Sequence, residues 1–103
     1  MKEGLNMQIK IYNFSTTGCA QCGLMDSRFN DVLKDYEEII YEHINVDKEP
    51  KYQTEYQLIT SPTAVFLVDN VEVYRISGIV DRDIIRKELD GILWKQQLMS
   101  QSI

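Results

Sequence analysis

Residues 9–22, IKIYNFSTTGCAQC, decide how the chain is read, because a strand pattern runs through a turn into two cysteines at the start of a helix pattern. From Gln8 to Phe14 the apolar Ile9 and Ile11 alternate with Lys10 and Tyr12, the period of a half-buried strand. Ser15-Thr16-Thr17-Gly18 has turn chemistry. Beyond it, from about Cys19 to Tyr36, Met25, Phe29, Val32, Leu33 and Tyr36 recur at helical spacing. Gly23 is a poor helix former inside this stretch and has no explanation in the sequence.

The dithiol Cys19-Ala20-Gln21-Cys22 therefore falls at a helix N-terminus. A sulfur placed there faces backbone N–H groups without helical partners and the positive end of the helix dipole. Both favour a thiolate, so the Cys19 pKa is expected below the free-thiol value of about 8.5. Cys22, one turn inward, is expected to be more buried and better protonated. That asymmetry separates an attacking sulfur from a resolving one. Cys19 would open a substrate disulfide to a mixed disulfide, and Cys22 would then displace the substrate and close the Cys19–Cys22 bond. Two readings compete. A structural staple is the weakest, since so short a loop restrains the unfolded chain little. A metal half-site is the other, but zinc takes four ligands and the chain offers two cysteines and one histidine, His43.

Working outward, Ile39 to Val46 reads as a second strand. Asp47-Lys48-Glu49-Pro50 opens a short helix ending near Leu58, with Tyr52 and Tyr56 on one face as packing residues. Ala64 to Val68 is wholly apolar and should be a central strand. Asp69-Asn70 turns the chain into a returning strand from Val71 to Ile76. Asp81 caps a final helix whose buried stripe is expected to be Ile84, Ile85, Leu89, Ile92 and Leu93, with Trp94 and Leu98 extending it and the last few residues frayed. The order β-α-β-α-β-β-α predicts an α/β fold: a four-stranded mixed sheet with helices on both faces and a right-handed first crossover.

The chain has 103 residues, 44% hydrophobic and 26% charged, which suits one domain over residues 1–103. Residues 1–6 read as a flexible leader without a secretory pattern, and Met7 as an alternative start. A formal charge of −5 argues against nucleic acid and anionic membranes as partners. No run approaches the roughly 18 apolar residues of a membrane span. The expectation is a monomer in the cytoplasm that meets protein partners through an apolar patch.

With the dithiol, a second signal stands about forty residues on, where Ser61-Pro62-Thr63 immediately precedes the apolar strand. Together with G-C-A-Q-C (18–22), N-V-D-K-E-P (45–50) and Gly78 after the hairpin, this resembles the thioredoxin superfamily over roughly residues 8–98. The resemblance implies the minimal thioredoxin fold and a thiol–disulfide oxidoreductase serving cell redox homeostasis. In it Cys19 would be the nucleophile and Cys22 the resolving thiol. Pro62 would be a cis-proline beside them, a geometry inexpensive only before proline. The backbone of Ser61 would pair with the substrate chain, and Gly78 would help form the groove. It implies protein disulfides as substrates, a thioredoxin reductase-like enzyme or glutathione as electron source, and no cofactor beyond the dithiol.

The chain departs from the thioredoxin pattern in several places. Gly18 stands where thioredoxins carry Trp, and Ala20-Gln21 replace Gly-Pro. Asn13 occupies the position of a buried aspartate that helps deprotonate the resolving thiol, and an amide cannot be that base. His43 falls near that aspartate's lysine partner and reads as an ordinary strand residue. The leading strand and helix of full-length thioredoxins are not seen. Glutaredoxins share the minimal core: Thr60-Ser61-Pro62 is similar to their Thr-Val-Pro, and Asp81 and Asp83 stand at almost the spacing of their aspartate pair. Their Pro-Tyr between the cysteines is absent, however, and Thr16 and Thr17 supply no cation for glutathione. A non-catalytic module that keeps the fold and only docks a partner is the remaining alternative.

Overall fold

The computed structural model describes residues 8–101, with side chains placed as far as Lys95. The elements follow the predicted order: β1 (Ile9–Ser15), α1 (Ala20–Leu33), β2 (Ile39–Asn45), α2 (Lys51–Glu55), β3 (Thr63–Val68), β4 (Val71–Ser77) and α3 (Arg82–Gln101). The strands form one sheet in the order β2-β1-β3-β4, with β1 and β2 parallel and the other pairs antiparallel. This is the four-stranded mixed α/β sheet that the sequence predicts. The expected leader, residues 1–6, lies outside the described residues, as does the side chain of Leu98.

β3, apolar from Ala64 to Val68, is buried along its full length between β1 and β4. A strand buried on both faces loses the polar alternation that a half-exposed strand keeps. Above the sheet, Ile11, Ala64, Phe66 and Ile76 meet Met25, Phe29 and Val32 of α1 and Ile85 and Leu89 of α3. Below it, Phe14, Ile44, Val46, Val65 and Leu67 pack with Leu58. Tyr52 of α2 and Tyr56 just after it cover that second face, each ring against both Tyr12 and Phe14. Each fully buried large side chain contributes about 1.5–3 kcal/mol. The sheet is thus held by two apolar layers rather than one.

The boundaries show what local patterns miss. Helix α1 stops at Leu33, three residues before Tyr36, because Tyr36 instead reaches α3 and donates its hydroxyl to Asp90 at 2.7 Å. Burial, and next that bond, raise the Tyr36 pKa to about 12. Helix α2 ends at Glu55, with Gln57 at φ +52 and the Leu58 amide folded back on the Gln53 carbonyl at 3.0 Å. Asp69 and Asn70 both take positive φ, +51 and +69, as a two-residue hairpin turn matching the strand twist requires.

In α3 the Asp81 carboxylate accepts the Ile84 N–H at 3.2 Å and caps the helix as expected. The expected stripe is too wide. Ile85 and Leu89 are buried and Ile92 packs beside them, but Ile84 and Leu93 are exposed. At 3.6 residues per turn residues 85, 89 and 92 form a narrow line, with 84 and 93 to either side and 94 opposite. Trp94 accordingly is 62% exposed and does not extend the apolar side. Helices α1 and α3 are also joined at their rim, by Arg82 to Asp31 and Arg86 to Asp35, each at 2.7 Å.

Candidate active site

Cys19 is the N-cap of α1. Its backbone is extended, with φ −92° and ψ 103°, and its sulfur accepts the Cys22 N–H at 3.1 Å. A helix N-terminus leaves its first amides without helical partners, and here a sulfur answers one of them. The two cysteines are joined as a disulfide with Cα atoms 5.3 Å apart. Cys19 is partly accessible, whereas Cys22 is 2% exposed on the buried stripe that continues through Met25, Phe29 and Val32. The in-and-out asymmetry expected from helical geometry is present.

The loop before Cys19 is held by polar contacts from three segments. Gly18 takes φ +77, a left-handed conformation that favours glycine. The Thr17 N–H donates to the Asp47 carboxylate at 2.8 Å, and the Asn45 amide donates to the Thr17 hydroxyl at 3.2 Å. Asn45 Oδ1 in turn accepts the Asp47 N–H at 2.9 Å. Thr16 and Ser61 hydroxyls lie 3.0 Å apart and tie the dithiol loop to the segment before β3. There Pro62 is buried and follows Ser61 through a cis peptide bond. The Gly78 N–H donates to the Pro62 carbonyl at 2.8 Å, with Gly78 at φ +92. Cys19, Cys22, Ser61, Pro62 and Gly78 are thus linked in one region of the fold. Ile59, three residues before Pro62, is 92% exposed beside it.

A polar cluster lies against the dithiol helix. In the parallel pairing of β1 with β2, Asn13 stands opposite His43 and Ile11 opposite Tyr41. Alternation puts all four on the sheet face that α1 covers. Asn13 is 0% exposed, and its Nδ2 donates to the Tyr41 hydroxyl at 3.1 Å. Tyr41 donates to Asp26 Oδ1 at 2.5 Å, and His43 Nδ1 lies 3.6 Å from the same oxygen. Burial, and then the bond to Asp26, raise the Tyr41 pKa well above the usual phenol range, so it remains a donor. Asp26 follows Cys22 by four residues, one turn along α1, where i and i+4 share a face. Asn13 Oδ1 is buried without a partner among the described residues.

An open cavity of about 480 Å³ joins the two groups of residues. Cys19, Cys22, Gly23, His43 and Lys48 all line it. The sequence names Cys19, Cys22, Ser61, Pro62 and Gly78 as candidate site residues; it does not single out Asp26 or Tyr41, and it reads Asp47 only as part of a helix start. Two signals bear on Asp26 and Tyr41. Asp26 stands four residues after Cys22, and Tyr41 and His43, two apart with Glu42 between them, share one face of the strand next to β1.

The thioredoxin family model matches residues 3–91. Thioredoxin H7 of Arabidopsis thaliana is 24% identical over 80 residues, 78% of this chain and 62% of that protein. Thioredoxin H5 of Oryza sativa is 26% identical over 68 residues, 66% of this chain and 50% of that protein. The chain thus spans only about half to three fifths of the length of the curated relatives it matches. Among solved structures, thioredoxin-2 of a malaria parasite superposes with a TM-score of 0.77 at 15% identity, covering 82% of this chain and 84% of that one. Oxidized mitochondrial thioredoxin 3 of Saccharomyces cerevisiae gives 0.73 at 20% identity, covering 84% and 80%. At these identities the superpositions speak to the fold alone, while the family match also takes in the dithiol and the segments around it. The chain belongs to the thioredoxin family.

Proposed function

We propose that this chain is a thiol–disulfide oxidoreductase that exchanges protein disulfides through Cys19 and Cys22, with Cys19 as nucleophile and Cys22 as resolving thiol. The observation that carries this reading is the Cys19 sulfur serving as the N-cap of α1, with the Cys22 N–H donated to it at 3.1 Å. A hydrogen bond to the charged form and the helix dipole both favour a thiolate there. Burial of Cys22 supports its role as the second sulfur, since it is shielded from the substrate and acts only on Cys19 Sγ once the mixed disulfide has formed. Capture makes the second step intramolecular.

In this reading the backbone of Ser61, next to Pro62, pairs with an extended substrate segment as an added strand. Gly78, bonded to Pro62, borders the groove, and the exposed Ile59, two residues before Ser61, offers apolar contact to the substrate. A thioredoxin reductase-like enzyme or glutathione in the cytoplasm returns electrons to the disulfide. Family membership and the disulfide pair support this reading. The test is insulin reduction with dithiothreitol as electron source. The parent protein accelerates precipitation, Cys19→Ser abolishes the acceleration, and Cys22→Ser accumulates a mixed disulfide on Cys19. A reduced parent that leaves insulin at the uncatalysed rate would reduce the proposal to a docking module.

A further inference from the structure

A resolving thiol has to lose a proton before it can attack, and the buried Cys22 has little access to bulk water from its own helix face. Asn13, buried on the face of β1 that α1 covers, is an amide and takes no proton. The structure offers a different acceptor. His43 lines the same cavity as Cys22 and Cys19, and its side chain is 35% exposed. We infer that His43 is the proton acceptor for Cys22, and that Asp26 is its positioning residue, held by Tyr41 and Asn13. This rests on the oxidoreductase reading above and assigns a residue within it.

The argument is one of orientation. The Asp26 carboxylate oxygen lies 3.6 Å from Nδ1, beyond hydrogen-bond length, and its charge favours the ring proton on that side, with the Nε2 lone pair free. Asp26 is fixed in turn, because Tyr41 donates to the oxygen that faces His43, and Asn13 Nδ2 donates to Tyr41. The single hydroxyl proton of Tyr41 goes to the carboxylate, which fixes Asn13 with its NH₂ toward Tyr41. A buried amide, a phenol, a carboxylate and an imidazole thus form one directed chain that ends in the dithiol cavity. Among the described residues, Lys48, from the segment after β2, is the charged side chain that lines that cavity with His43, and the β1 neighbours Asn13 and Ser15 are neutral.

The step balances as follows. With Cys19 in a mixed disulfide, the Cys22 S–H proton passes to His43 Nε2 through the cavity solvent. The Cys22 thiolate attacks Cys19 Sγ, the Cys19–Cys22 bond forms, and the bond from Cys19 to substrate sulfur breaks. The substrate sulfur leaves as a thiolate and takes up a proton from the imidazolium. Two electrons have passed from the cysteine pair to the substrate disulfide. The imidazole returns neutral, and Asp26 balances its charge in between.

The test follows release of thionitrobenzoate from 5,5′-dithiobis(2-nitrobenzoate) by the reduced protein. The first equivalent reports attack by Cys19 and the second reports resolution by Cys22. In His43→Gln the first equivalent should appear within about twofold of the parent rate, while the second slows about 10- to 100-fold and loses its acid limb in the pH profile. Asp26→Asn should slow the second step alone, and it should add little in the His43→Gln background. Added imidazole should restore the second step of His43→Ala in proportion to its concentration, which a purely structural role would not produce. Parent rate and pH profile in His43→Gln would overturn the assignment. So would equal slowing of both steps with no rescue by imidazole. A parent that releases neither equivalent would instead remove the oxidoreductase reading itself.

Discussion

Replacing Tyr41 with phenylalanine deletes one oxygen from the polar chain against α1, and its consequence can be worked from the geometry. Among the described residues the Tyr41 hydroxyl is the sole side-chain partner of the Asn13 amide, whose Oδ1 has none there. Asn13 is fully buried, so Tyr41→Phe would leave both of its polar ends unanswered. A newly unsatisfied buried donor costs about 1–3 kcal/mol. The bond from Tyr41 to the charged Asp26 is lost as well, ordinarily about 1.5–3 kcal/mol. Asp26 is partly exposed and recovers water, so only a fraction of that second figure applies. The sum is a destabilisation of about 2–4 kcal/mol, a large share of the roughly 5–15 kcal/mol typical of a domain. Urea unfolding of the oxidised protein, followed by circular dichroism, measures it as a lower midpoint at unchanged slope. Asn13→Leu in the Tyr41→Phe background removes the stranded amide, so the double variant should be more stable than the sum of the single losses. A Tyr41→Phe protein within about 0.5 kcal/mol of the parent would refute the reasoning.

Two further outcomes follow from the packing and the ion pairs. Phe66→Ala in the central strand, where the ring meets Phe29 and Tyr74, should cost about 3–5 kcal/mol, while Val71→Ala at the exposed hairpin edge should stay within about 0.5 kcal/mol, both read by urea unfolding. In acid, the Arg82 guanidinium hydrogen-bonded to Asp31, and Arg75 likewise bonded to Glu72, hold those carboxyls below their ordinary 3.8 and 4.5. A depressed folded pKa contributes stability that is complete above the ordinary value and is lost as pH falls through the folded one. Thermal midpoints should therefore decline below about pH 4.5, and Asp31→Asn should soften that decline only slightly, since the pair faces solvent and is screened.

The fold was largely legible because its determinants are local. The alternation of Ile9 and Ile11, the apolar run from Ala64 to Val68 and the helical spacing of Met25, Phe29 and Val32 each report burial along a single element. The dithiol was legible for the same reason, since its place depends only on where β1 ends and α1 begins. Asp26 and Tyr41 were not, because they meet through the parallel register that sets Asn13 opposite His43 and through α1 lying over that pair. Neither relation leaves a pattern within one segment. Asp47 was read as part of a helix start, but its carboxylate holds the Thr17 amide thirty residues away. The α3 stripe failed differently. Ile84 and Leu93 are apolar at the right period, yet α3 meets the sheet and α1 along a line narrower than the run of apolar residues.

The claim on which the account depends is that the end of α1 makes Cys19 acidic while Cys22 stays shielded. Alkylation of the reduced protein by iodoacetamide across pH, with the modified cysteine identified by mass spectrometry, tests it directly. Cys19 should react first and with a midpoint below the free-thiol value of about 8.5, with Cys22 nearly inert until the protein unfolds. A Cys19 that follows a free thiol across the whole range, or that reacts no faster than Cys22, would contradict it.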